Sequence, residues 1–336
     1  MLGWLSSGMF LGWSLGANDA ANVFGTAVAS HMVRFSTAAT LAAVFVILGG
    51  LVNGPAAMAT LSELGQIDAL AGAFTVALAA AVVVAGMTRA GMPVSTSQAV
   101  VGALIGYRLF QPSSVDPSTW HLLRTIVLTW VACPILAAAT AFLIYKLLAL
   151  AFRWLPMPLL VLDRWLRLGL LVVGCYGAWA LGGNNMANVV GIYARLDLFD
   201  PMQVGPWGLS QSRMLALLGG LAIALGVVTY SYRVMVTVGR DLVKLDATTA
   251  LIAILAEALV VDFFAHPWDM GVLILPAIPV STSQALVGGV LGIGLARGIE
   301  TIRMLVLFYI AMGWIATPLV SAALARIILP IVMQLA

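Results

Sequence analysis

Ten apolar segments follow one another along this chain, near residues 2–33, 37–58, 69–88, 97–110, 122–149, 166–192, 213–232, 247–263, 281–296 and 304–328. Only short separators lie between them, such as Gln111-Pro112-Ser113-Ser114 and Asp200-Pro201-Met202. A helix needs about 20 apolar residues to cross a bilayer, and every backbone N–H and C=O within the hydrocarbon must find its partner inside the protein. Of the 336 residues 62% are hydrophobic and 9% charged, with mean hydropathy +1.07, where soluble domains carry roughly 25% charged residues. That is too little charge to cover a water-soluble globule, and the length leaves no room for a sizeable soluble domain. The composition specifies an all-α integral membrane protein embedded in a lipid bilayer. About ten to twelve transmembrane segments are expected, broken helices and re-entrant hairpins included.

The two halves of the sequence repeat each other. Gly16-Ala17-Asn18-Asp19-Ala20-Ala21-Asn22-Val23-Phe24-Gly25 is echoed by Gly182-Gly183-Asn184-Asn185-Met186-Ala187-Asn188-Val189-Val190-Gly191, identical at six of ten positions. Pro93-Val94-Ser95-Thr96-Ser97-Gln98-Ala99 recurs unchanged as Pro279-Val280-Ser281-Thr282-Ser283-Gln284-Ala285. Each copy runs on to a GxxxG, Gly102 to Gly106 and Gly288 to Gly292. Two motifs in matched order mean duplication. The division expected is a first transmembrane repeat over 1–150, a central cytoplasmic loop over 151–165 and a second repeat over 166–336.

Five segments per half is an odd number, so the second copy should be inverted. The stretch Thr60–Asp68 carries Glu63 and Asp68 and no Lys or Arg, whereas its counterpart Arg233–Asp246 carries Arg233, Arg240 and Lys244. That contrast is expected of loops on opposite faces under the positive-inside rule. The central loop, with Lys146, Arg153, Arg164 and Arg167 around it, also goes inside, which puts both termini outside a cell (plasma or inner) membrane. Inverted repeats with interrupted helices are the signature of secondary transporters.

A run such as Gly-Ala-Asn-Asp-Ala-Ala-Asn inside an apolar segment needs polar partners. Glycines let a helix open there, exposing N–H groups to anions at one half-helix end and carbonyls to cations at the other. Asp19 adds a formal charge near the membrane middle, which marks a functional site by default. Lone Asn residues glue helices together in bundles, but three amides or acids repeated in both halves point to a site. The candidates for cation and anion are therefore Asn18, Asp19, Asn22, Asn184, Asn185 and Asn188. In the second motif, proline ends one segment and Ser or Thr caps a new helix. Such a start at membrane depth is a re-entrant hairpin, and its hydroxyls and free N–H groups make a donor-rich cup for a small oxyanion. Ser95, Thr96, Ser97 and Gln98 with Ser281, Thr282, Ser283 and Gln284 are the anion-binding candidates. The GxxxG runs read as close helix packing.

Glu257 stands in an apolar run, where it either binds a cation or relays a proton, or else snorkels or bonds its own helix. Asp262, His266 and Asp269 sit near a membrane edge. Cys133 and Cys175 lie in separate segments and read as buried free thiols. The basic residues mark segment ends, so the pI near 9.1 reflects topology and no nucleic-acid partner. No Walker A loop offers direct ATP drive, and the three histidines are too scattered for a metal centre. Neither enzyme chemistry nor a cofactor is expected, and coupling should come from a cation gradient.

The paired motifs, with Tyr232-Arg233-Val234-Met235-Val236-Thr237-Val238-Gly239-Arg240-Asp241-Leu242, resemble the PiT family of inorganic phosphate transporters over essentially the whole chain. That resemblance implies an inverted-repeat, cation-coupled symporter that moves sodium or protons with phosphate and forms a homodimer. It implies that Asp19, Asn22 and Asn188 help bind cation (sodium among them) and phosphate, and that the two Ser-Thr-Ser triplets hold phosphate oxygens. The chain departs from the family where Asn185 replaces an Asp, where Gln98 and Gln284 replace a His, and where Val46 follows Phe45 in place of a Glu. Near Ile254 the family carries another Glu, and here Glu257 lies one turn on. These changes remove charge, which would repel sulfate less, and some relatives do move sulfate. Phosphate keeps first place because Asp19 remains. An anion channel and a structural or receptor protein are the competing classes.

Overall fold

The structure, a computed structural model, describes residues 2–90, 92, 94–109, 117–154, 157–204, 207–237, 246–269, 271, 274–298 and 304–335. Pro93, the stretch 111–114, and Arg240 and Lys244 lie outside the described residues.

The first half contributes α1 (Leu2–Ala29), α2 (Phe35–Gly65), α3 (Leu70–Arg89), α4 (Thr96–Arg108) and α5 (Pro117–Trp154). The second contributes α6 (Leu159–Val190), a 3-10 turn (Gly191–Tyr193), α7 (Gln211–Thr237), α8 (Ala247–Ala265), α9 (Thr282–Arg297) and α10 (Met304–Leu335). Two small antiparallel ribbons decorate connections of the second half: β1 (Met202–Val204) with β2 (Trp207–Leu209), and β3 (Trp268–Asp269) with β4 (Ile274–Leu275). Among the described residues six helices, α2, α3, α5, α7, α8 and α10, are long and apolar enough to cross a membrane. Helices α1 and α6, of 28 and 32 residues, have the length as well, but their Asn-Gly motifs dilute the apolar signal. Rows of exposed side chains such as Leu128, Val131 and Ile135 on α5 and Leu305, Tyr309 and Leu319 on α10 would be a liability in water and are at home against lipid.

The packing repeats under exchange of the halves. Helix α2 packs on α6 as α7 packs on α1, α10 on α4 as α5 on α9, and α3 on α1 as α8 on α6. The second and fifth helices of each half thus embrace the other half. Glycines set these crossings. A Cβ on Gly16 would strike the carbonyl of Ile223 and one on Gly226 that of Trp13. In the mirror crossing, Gly182 meets the carbonyl of Val46 and Gly49 that of Trp179. The GxxxG runs behave alike: Gly102 and Gly106 lie against the backbone of Pro318 and Ala322, and Gly288 and Gly292 against that of Pro134 and Ala138. Small residues let helices approach closely where lipid offers no hydrophobic drive to associate.

Two expectations change. The helices do not open at the Asn motifs: α1 runs unbroken through Asn18, Asp19 and Asn22, and α6 continues through Asn188 to Val190 before its 3-10 turn. The glycines there serve the helix crossings, and the Asn side chains rather than a freed backbone face inward. The interruptions fall instead at the two Val-Ser-Thr-Ser stretches, where α4 and α9, of 13 and 16 residues, are too short to span and pack back on α3 and α8. Most of 151–165 is also helix rather than loop, since α5 ends at Trp154 and α6 begins at Leu159. The i,i+4 ion pair of Arg167 with Asp163, at 2.8 Å, shows polar turns extending these helices past their apolar stretch. Likewise α2 continues to Gly65 and α7 to Thr237, which shortens the connections read at 60–68 and 233–246.

Candidate functional site

The two short helices begin in the same way. Ser95 caps α4 by accepting from the N–H of Gln98 at 3.3 Å, and Ser281 caps α9 by accepting from that of Gln284 at 3.2 Å. The capping hydroxyl satisfies one first-turn donor and leaves the other free N–H groups, with the positive end of the helix dipole, at the helix start.

These two starts are fastened to each other. The Ser97 hydroxyl donates to the carbonyl of Val280 at 3.0 Å, and the Ser283 hydroxyl donates to the carbonyl of Val94 at 3.0 Å. Val94 and Val280 are matched positions of the repeated heptapeptide, so the pair of bonds is reciprocal about a twofold axis. The Asn motifs complete the hub crosswise. From the first half, the Asn22 amide donates to Thr282 Oγ1 and Ser283 Oγ, both at 3.2 Å. From the second, the Asn188 amide donates to Ser97 Oγ at 2.9 Å. Each half's long helix therefore reads the other half's hairpin.

Asn18 and Asn184 hold each hairpin to its own half. Asn18 donates to Thr88 Oγ1 at 3.0 Å and to the carbonyl of Met92 at 3.4 Å. Asn184 grips Val280 twice, donating to its carbonyl and accepting from its N–H, both at 2.8 Å. In the structure both act as struts. The hub carboxylate, Asp19, accepts from the Thr282 hydroxyl at 3.0 Å, and Glu257 on α8 lies within electrostatic reach of it. Glu257 is buried, so the snorkelling alternative falls away.

All the sequence candidates are 3% exposed or less; the structure brings Asp19, Asn22, Asn185, Asn188 and the two Ser-Thr-Ser triplets into one hub, and Gln98 and Gln284 stand in the first turns beside them. Among the described residues seven buried polar atoms there have no partner: Asp19 Oδ1, Thr96 Oγ1, Gln98 Oε1, Asn185 Nδ2, Asn188 Oδ1, Glu257 Oε2 and Gln284 Oε1. Unmet buried polar groups on this scale are expensive, so water or a bound ion has to serve them. Side-chain reasoning missed the carbonyls of Val94 and Val280, although their identical repetition was the available signal. It also missed Thr88, for which no signal existed. His266 bonds the carbonyl of Asp262 at 2.8 Å and makes no bond to the hub residues among those described.

A polytopic bundle whose repeated halves each send a short helix start into a buried polar centre is a membrane-transporter architecture. The chain matches the phosphate transporter family over residues 15–325 and belongs to it. A Methanocaldococcus jannaschii protein described as a candidate phosphate permease is 29% identical, across 95% of this chain and 93% of that one. A counterpart from Pyrococcus abyssi is 26% identical over 96% of both chains. The chloroplastic inorganic phosphate transporter 2-1 of Arabidopsis thaliana is 25% identical over 95% of this chain and 70% of its own. A solved structure described as the sodium-dependent phosphate transporter shares the fold, with TM-score 0.77 and 22% identity, covering 99% of this chain and 98% of that one.

Proposed function

We propose that this protein is a sodium-coupled symporter of inorganic phosphate. The observation that carries the reading is the imbalance at the hub. Five unpartnered acceptor oxygens, on Asp19, Gln98, Asn188, Glu257 and Gln284, outnumber two unpartnered donors, on Thr96 and Asn185. A proton would satisfy one carboxyl, whereas a metal cation gathers several oxygens at once, as hard cations do. The converging starts of α4 and α9 supply what the acceptors do not, namely N–H groups and positive dipole ends for an anion. Neither ion fits alone: an anion would meet the Asp19 carboxylate, and a cation would meet two helix N-termini. Together they cancel.

The working cycle follows from the fastenings. The cation settles on the Asp19 oxygens, and phosphate then draws the Ser97 and Ser283 hydroxyls off the opposing carbonyls and onto its own oxygens. With those reciprocal bonds broken, the two hairpins are free to part toward one side or the other. The sealed hub supports such alternation over an open channel. Phosphate near neutral pH still carries a proton that it can donate to a carboxylate oxygen, and sulfate has none. Asp19 therefore favours phosphate, with sulfate as the competing cargo. The protein works in the cell membrane with both termini outside, and as a homodimer.

Proteoliposomes test this. An inward sodium gradient should concentrate labelled phosphate above its external level, and equimolar sulfate should neither replace it nor compete well. A proton gradient driving the same uptake without sodium would replace the coupling ion. Equilibration without accumulation would make the protein a channel.

A further inference from the structure

The hub is twofold in its backbone but not in its chemistry. On one side Asp19 takes the Thr282 hydroxyl on Oδ2 and leaves Oδ1 unpartnered. At the matched position stands Asn185, and the bond matching Thr282 to Asp19 is missing: the Thr96 hydroxyl has no partner. The Asn185 oxygen is already engaged by Asn188 Nδ2 at 2.8 Å and Asn184 Nδ2 at 3.4 Å.

The orientation of Asn185 is dictated by its neighbours. Asn184 must present its oxygen to the backbone N–H of Val280, so its amide nitrogen faces the Asn185 oxygen. That turns Asn185 Nδ2 outward, buried and unpartnered. An amide has two N–H donors there and no acceptor.

We infer that this transporter holds its coupling cation on one side only, at Asp19, and that Asn185 Nδ2, with the Thr96 hydroxyl, binds an oxygen of the anion directly where a second cation would otherwise stand. This rests on the cation-coupled reading above. The amide supplies donors without charge, so the position matching Asp19 carries no carboxylate to call for a second cation.

The test is equilibrium binding to the purified full-length protein in detergent, read by calorimetry, with choline replacing sodium. Wild type should bind about one sodium per chain, and Asn185→Asp should raise that stoichiometry toward about two, the stoichiometry being read directly because independent sites leave the Hill slope at one. Asn185→Ala should keep the sodium stoichiometry and weaken phosphate binding about tenfold or more, as loss of a hydrogen bond to a charged group does. Thr96→Val should weaken phosphate in the same direction, which keeps the proposal testable if Asn185→Asp fails to fold. A wild-type stoichiometry near two, or unchanged phosphate affinity in Asn185→Ala, overturns the inference while leaving coupling intact. Absence of sodium binding to wild type overturns the coupling itself, and the single-cation assignment with it.

Discussion

Asp19 is the residue on which the hub's charge turns, because the other polar groups of the two Asn motifs are neutral. Replacing it by Asn keeps size and the bond to Thr282 but removes the charge that draws the cation. Asp19→Asn should lower sodium-driven phosphate uptake by about tenfold or more, the equivalent of 1.4 kcal/mol, with the protein still inserted and monodisperse. Unchanged sodium-dependent uptake would remove Asp19 from the mechanism. Asn184 belongs to stability instead. Its two 2.8 Å bonds tie down the Val280 backbone, and Asn184→Leu would strand the buried N–H of Val280 and leave its C=O to the Ser97 hydroxyl alone. A loss of roughly 1–3 kcal/mol follows, the cost of one stranded buried group. Asn18, with one bond of 3.0 Å and one of 3.4 Å, should tolerate Asn18→Leu better in a thermal denaturation series.

At the scale of helices, the glycine crossings are the most constrained contacts. Gly226 on α7 and Gly49 on α2 are mirror positions, each facing the carbonyl of a Trp on the partner helix. A Val at either forces two backbones apart, and overpacking of this kind costs about 1–3 kcal/mol. Gly226→Val and Gly49→Val should therefore lower the detergent melting temperature by similar amounts; a large difference between them would argue against equivalent crossings. The sequence showed the GxxxG packing of α4 and α9 because the spacing is itself a signal. It did not show the pairing of Gly16 with Ile223 or of Gly182 with Val46, since those repeats sit at offsets that differ from helix to helix. Loop lengths between matched helices differ, so a single register conceals the correspondence.

For the whole molecule, inversion makes an external prediction. Asp68, 81% exposed beyond α2, and Asp246, 54% exposed before α8, occupy matched connections and should face opposite sides of the membrane. With Cys133 and Cys175 replaced, a membrane-impermeant maleimide added to intact cells should label Asp68→Cys and spare Asp246→Cys until the cells are opened. Labelling of both from outside would contradict the inverted arrangement.

Apolar length, the duplicated motifs and the uneven basic residues sufficed to establish from sequence a helical membrane transporter built twice, together with the residues at its centre. They are local patterns, and bilayer physics leaves few ways to satisfy them. Only the tertiary structure decided that α1 stays closed through its Asn motif, that Asn22 and Asn188 reach across to the opposite hairpin, and which oxygens remain unmet. A side chain's partner depends on what another helix brings within 3 Å of it, and that distance is set by glycine contacts between segments remote in the chain.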